Sequence, residues 1–388
     1  MKRSMSIILC LVSYHLSVNC SYGQLSADAA ATGISRAFNP ALSVNGLFDA
    51  LSSNRSKPLW EERGLVAGLH YQEICLEMSA NVDVYLQSKV AIAAEEEGGL
   101  GVEEAYVSTL RLPIPVVIRG GKMLNTFGRH NLYHLHHMAF AEAPMILEQV
   151  FGPNLNEVSV EASYLAPLPW YMDITGGLLD GKNARLFDSE KSSDLAYLCH
   201  LDNLWDLTDE ITLRLGGSFL TGQKGLHYGD AERTPIGPDT TALSSRVWGA
   251  DFHLKWRPLQ FGRYRSFTLQ GEYVHTQLDI DGRLTGPLHG FFLQALAQIH
   301  LMWWLQARYD WYDRSKDLHR FFPEPATLSY DLGQNIAGKR WSFSIAFVPT
   351  EFSAYRLQYS IIDLGGQKEK QILAQLNVTI GSHPAHKY

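Results

Sequence analysis

Nowhere does the chain hold eighteen consecutive apolar residues, so no segment is written as a membrane-spanning helix. The strongest apolar stretch, Phe291–Trp304, is interrupted by Gln294, Gln298 and His300. Charge is scarce as well, at 19% of residues, with a net −7. That acidic balance gives no electrostatic footing for nucleic acid. A hydrophobic content of 46% excludes a disordered chain. Beyond the N-terminus only Cys75 and Cys199 occur, without metal-ligand spacing, and one pair fixes no disulfide; both read as plain strand cysteines. Also missing are G-x-S-x-G, H-E-x-x-H and the P-loop, so no enzyme is expected. Abundance lies elsewhere: 32 glycines, 9 Trp, 18 Tyr and 17 Phe point to turns and pleated strands.

The N-terminus reads as a secretory signal. Lys2 and Arg3 precede an apolar stretch from Met5 to about Leu16, and Ser21-Tyr22-Gly23 offers a cleavage site before Gln24. Cys20 raises a lipoprotein alternative, but the usual leucine is missing ahead of it. The expected organisation is a signal peptide at 1–23, an N-terminal periplasmic segment at 24–40 and a membrane domain at 41–388.

Period two dominates the rest. Trp341, Phe343, Ile345 and Phe347 alternate with Ser342, Ser344 and Ala346. Ile372, Ala374, Leu376, Val378 and Ile380 alternate with Gln371, Gln375, Asn377 and Thr379. Val82, Val84, Leu86, Val90 and Ile92 alternate with Asp83, Gln87 and Lys89. Sixteen such segments run from Ala41–Ser52 to Lys370–Ile380. Links after even-numbered segments are short, whereas most links after odd-numbered ones are long and polar. A soluble sandwich has no reason to couple loop length to strand parity; an outer-membrane barrel does. The expected fold is therefore all-β, an antiparallel transmembrane β-barrel of about sixteen strands. Trp170, Tyr171, Trp303, Trp304, Trp311, Tyr312 and Trp341 are assigned to its interfacial girdles.

Sixteen strands leave an aqueous channel, and the short segment before the first strand leaves no room for a plug domain. The longest link, Gly128–Asn156, is expected to fold inward and narrow that channel. Its His130, His134, His136, His137, Glu142 and Glu148 are the candidate constriction. His134, His136 and His137 are also a candidate metal set, although H-x-H-H is not a familiar zinc spacing. Lumen charges are assigned to Lys89, Arg111, Lys122, Arg214, Arg308, Arg356, Asp173, Asp251 and Glu272. Arg119 and Lys122 cannot share a face of an unbroken strand, which predicts a bulge at Gly120-Gly121. Glu95-Glu96-Glu97 and Glu103-Glu104 read as a solvated loop and strand start. The expected function is diffusion of small polar solutes without a cofactor. The alternative is a receptor for a metal ion or chelate. Expected partners are outer-membrane lipids and the barrel-assembly machinery, with a homotrimer as one assembly and no nucleic acid.

Several short segments resemble a group of Gram-negative porin-like outer-membrane proteins, often labelled zinc-regulated TonB-dependent outer-membrane receptors. They are Asn39-Pro40-Ala41-Leu42-Ser43, Val102-Glu103-Glu104-Ala105-Tyr106, Gly121-Lys122, Phe127-Gly128-Arg129, Leu165–Trp170 and Gly381–His386. The resemblance spans nearly the whole chain after residue 23 and implies a barrel in the outer membrane. It carries over no site residues, and without a plug or an evident TonB box it does not establish an energised receptor.

Overall fold

Alternating chemistry gives each strand one apolar and one polar face, and in a membrane such a sheet can turn the first to lipid and the second to water without a free edge only by closing on itself. A computed structural model describes residues 40–56, 59, 67–96, 99–152, 154–187, 193–224, 227–228, 234–235, 243–280, 283–285, 288–314 and 337–381. The signal peptide and almost all of the 24–40 segment lie outside the described residues, as do parts of the long loops.

Sixteen long strands form the wall: β1 (Ala41–Ser53), β2 (Gly68–Asn81), β3 (Leu86–Glu95), β4 (Gly99–Thr109), β5 (Val116–Leu124), β6 (Asn156–Leu165), β7 (Tyr171–Leu179) and β8 (Ala196–Thr208). They continue as β9 (Ile211–Lys224), β10 (Leu243–Trp256), β11 (Ser266–Ile280), β12 (Leu288–His300), β13 (Trp303–Arg314), β14 (Ala337–Thr350), β15 (Ser353–Leu364) and β16 (Gln367–Gly381). Each pairs antiparallel with its sequence neighbours. The circle closes where β1 meets β16, in register from Ser43↔Gly381 to Ser53↔Gln371. No edge is left, as hydrocarbon requires. Inside this seam Asn45 Nδ2 donates to Asn377 Oδ1 at 2.7 Å and to Thr379 Oγ1 at 2.8 Å. Among the described residues no helix is long and apolar enough to cross a membrane.

The two faces separate as the alternation predicts. Ile345 and Leu357 are 47% and 55% exposed on the outside, while Ser344 and Gln358 are buried within. Link length mostly follows parity too: residues 82–85, 209–210, 301–302 and 351–352 close one end, whereas the links from β1 to β2, β5 to β6 and β7 to β8 are longer; residues 365–366 are a short exception.

Several expectations are corrected. Val82 and Val84 lie in a turn, not in β3; Asp83 Oδ1 accepts Tyr85 N and Leu86 N and fixes it. Trp304 and Tyr312 are buried inside, not in a girdle. Their neighbours Trp303 and Trp311 sit on the outward parity, and adjacent strand residues cannot share a face. Arg111 is an exposed residue of the 110–115 turn, where Pro113 and Pro115 interrupt the ladder, so it does not line the lumen. Lys122 pairs with Ala105 and with the outward-exposed Val158, which places it on the outer face. The strand β5 runs through Gly120-Gly121 without a register shift. The bulge falls instead on β4, between the pairs Ala91↔Glu104 and Ile92↔Val102.

The face assignment has a direct test. Phe343→Lys places a cation on the outer face near the middle of β14. It should cost on the order of 2–4 kcal/mol of folding into a bilayer, read as a lower urea midpoint for the heat-modifiable gel band.

Candidate functional site: the loop inside the barrel

The chain leaving β5 turns inward at Gly128, which has φ +58. A Cβ there would lie 2.6 Å from Glu272 Oε2, so glycine is required both for the turn and for the approach to β11. Behind it, Glu272 Oε1 accepts Arg129 N at 2.8 Å and His130 N at 2.5 Å, and Ser218 Oγ accepts Gly128 N at 2.8 Å. Two 3-10 turns follow, His130–Leu132 and Leu135–His137, and then helix α1 (Met145–Phe151). Most residues from Asn125 to Phe151 are buried within the barrel, with Leu132 exposed.

Three groups of wall residues hold the loop. On β13 and β14, Arg308, Asp310 and Arg340 are at most 1% exposed. Arg308 Nη1 donates to Glu142 O at 2.9 Å, and Arg340 donates to Ala143 O at 2.6 Å and to Glu142 Oε2 at 2.7 Å. Asp310 Oδ2 accepts both guanidinium Nε atoms, while its Oδ1 accepts Met145 N at 3.1 Å. The Arg308 guanidinium lies 4.6 Å from the centre of the Phe140 ring. On β15 and β16, Arg356 donates to Met138 O, Asn377 Nδ2 to His136 O, and Ala141 N donates to Gln358 Oε1. Apolar packing does the rest: Met145, Ile146, Val150 and Phe151 meet Val247, Val274, Phe292 and Tyr312.

The third group, on β2 to β4, takes the histidines. The β4 bulge turns both Glu103 and Glu104 inward. His134 Nδ1 is 3.0 Å from Glu103 Oε2 and its Nε2 is 2.7 Å from Glu104 Oε2. An imidazole with a carboxylate on each nitrogen is a double donor. Burial alone would lower the His134 pKa, but these hydrogen bonds outweigh it and push it up to about 10. Lys89 Nζ is 2.6 Å from the same Glu104 Oε2. His136 Nδ1 is 2.9 Å from Glu73 Oε1, and the His137 ring lies 4.2 Å from that of His136. His130 stands apart, with its ring 5.3 Å from that of Phe292 and 5.7 Å from that of Tyr133.

The six candidate loop residues are thus split. His134, His136 and His137 are together, His130 is near β12, Glu142 is on Arg340, and Glu148 is buried in α1. Of the assigned lumen charges, Lys89, Arg214, Arg308, Arg356, Asp173, Asp251 and Glu272 face inward. Arg214 forms an ion pair with Asp202. The residue set read from the sequence omitted Arg340, although its parity with Ser342 marks it as inward. Glu103-Glu104, read as solvated, is a docking point, and a bulge has no reliable signature in a single sequence.

No family model matches this chain. An uncharacterized protein of Aquifex aeolicus is 26% identical over 371 residues, 89% of this chain and 75% of that protein. Among solved structures, Pseudomonas putida OprB superposes with a TM-score of 0.60 at 8% identity, over 88% of this chain and 94% of that one. A loop-L8 deletion of the Vibrio cholerae outer-membrane protein OmpT gives 0.57 at 10%, over 88% and 99%. The anion-selective porin of Comamonas acidovorans gives 0.54 at 10%, over 88% and 100%. These likenesses show the fold, a closed sixteen-stranded barrel of porin type, and lend no support to the energised-receptor label.

Two outcomes follow from the loop's anchorage. Arg340→Leu leaves Asp310 and Glu142 buried with part of their countercharge gone, a loss of about 3–5 kcal/mol that should lower the urea midpoint of the refolded protein. Burial, helped by Arg308 and opposed by Asp310, drives the His130 pKa down to about 3, below its unfolded value of about 6.5. Its contribution is therefore complete above about pH 6.5 and fades as the pH falls toward 3. Proteolysis within the loop should quicken between pH 7 and 5, and His130→Phe should flatten that part of the profile.

Proposed function

We propose that this protein is an outer-membrane channel through which small polar solutes diffuse passively, with the 125–155 loop as its constriction. The observation that carries the reading is the combination of a closed sixteen-stranded wall, apolar outside and polar inside, with the 125–155 loop fixed within it. Walls of this strand number enclose water. Translocation of residues 1–23 as a signal and insertion by the barrel-assembly machinery into outer-membrane lipid complete the picture.

The lumen wall favours one sign of solute. Side chains of Lys89, Arg119 and Arg214 are 26%, 26% and 28% exposed, while their partners Glu104, Glu161 and Asp202 are 6%, 1% and 4% exposed. Water in the channel therefore meets the cations, with the carboxylates set behind them. Half-buried Arg129 and Lys255 extend this lining. A modest anion preference follows.

The outer surface supports a homotrimer. Trp248, Trp303 and Trp341 are exposed on β10 to β14, as suits a lipid interface. The outward parity of β3 to β7 carries Ala94, Ala105, Gly120, Ala162 and Gly176, with Lys122 among them. Lys122, between Ala105 and Val158 on this face, is a charge that fits a subunit face better than hydrocarbon. The V. cholerae protein OmpT is itself described in a trimer form.

Planar-bilayer recording tests the reading. The purified protein should give steady open-channel current, with a reversal potential of anion-selective sign in a KCl gradient. Arg119→Gln with Arg214→Gln should shift that potential toward cations. An absence of current would overturn the channel, and a cation-selective wild type would overturn the charge assignment.

A further inference from the structure

Glu73, Cys75 and Glu77 occupy alternate positions of β2 and so share its inward face. Cys75 and Glu77 stand beside Ala93 and Ala91 of β3, whose small buried side chains leave the donors room to converge. The loop brings His136 onto this face from above. Ligand atoms of Glu73, Cys75 and His136 all lie within 4.8 Å of one another, and all three residues are buried. Glu77 Oε1 is buried too and accepts no hydrogen bond; it lies 3.7 Å from His136 Nε2, 3.8 Å from His134 Nε2 and 3.7 Å from Lys89 Nζ. That carboxylate oxygen is aimed into the cluster. The cluster holds four carboxylates, Glu73, Glu77, Glu103 and Glu104, against two cations, Lys89 and the doubly donating His134.

We propose that Glu73, Cys75 and His136 form a binding site for a zinc-class divalent cation, with Glu77 as the fourth donor, which ties the constriction loop to β2. A sulfur, an imidazole nitrogen and carboxylate oxygens are the donor set of Zn2+, whereas Ca2+ and Mg2+ call for oxygen alone. Bond lengths of about 2.0–2.3 Å bring tetrahedral ligands to within about 3.4–3.8 Å of one another, a contraction that side-chain rotation can supply. On binding, the Cys75 thiol gives its proton to solvent and the thiolate takes the metal. His134 contributes no ligand, because both its ring nitrogens are engaged by Glu103 and Glu104. The ligand set therefore shares only His136 with the three loop histidines. The site is independent of the channel reading, which needs no ion.

The test is titration of Zn2+, and of Co2+ as a spectroscopic probe, into the refolded full chain. One Zn2+ per chain and a thiolate-to-cobalt charge-transfer band are expected. His136→Ala should weaken Zn2+ binding tenfold or more, and Cys75→Ser should abolish the band. Cys199→Ser, on the outward face, should change neither. Heat-modifiable mobility reports folding of each variant, and the wild-type spectrum decides the matter if Cys75→Ser fails to fold. Absence of the band in the wild type, or its survival in folded Cys75→Ser, overturns the site while leaving the conductance result untouched.

Discussion

Every amide that this wall places in hydrocarbon must find its partner within the wall. That requirement sets the pairing of β1 with β16, and because every neighbouring pair is antiparallel, closure makes the strand number even. The side-chain alternation is a consequence: once the sheet is a tube, each strand has one side toward lipid and one toward water. The loop obeys the same rule by other means. Buried without a ladder of its own, it satisfies its backbone through side chains of the wall: Glu272, Asp310, Arg308, Arg340, Arg356 and Asn377 together meet its N–H and C=O groups.

Those side chains give the interior its character. Buried arginines and carboxylates are costly alone, and here they are shared between the loop and the wall. Asp310 lies between two guanidiniums, and each guanidinium also reaches a loop carbonyl. This arrangement makes the loop part of the barrel's packed interior rather than a flap over its mouth. It also explains why carboxylates of the lumen are mostly hidden while several cations remain wet: the acids are consumed in holding backbone N–H groups and bases.

The barrel was legible in the sequence because its signal repeats. Sixteen alternating segments reinforce one another, and loop length follows the same parity. Single positions were less legible. Arg111 and Lys122 were misplaced because proline turns and glycine pairs obscure where one strand stops and how it is phased. Glu103 was missed because a bulge adds one residue without changing composition. The docking partners of the histidines lie some 30 to 60 residues away in the chain, so no local pattern names them. Cys75, read as an ordinary strand residue, gains meaning only from Glu73 and Glu77 at period two on either side of it.

The seam between β1 and β16 joins residues more than three hundred positions apart. A cylinder sealed by its first and last staves stays open along its full height until both are in place. Two raw edges must therefore be shielded together for all that time, and loss of the final stave would expose both at once. The wall is built gradually, but it becomes a vessel in a single late step.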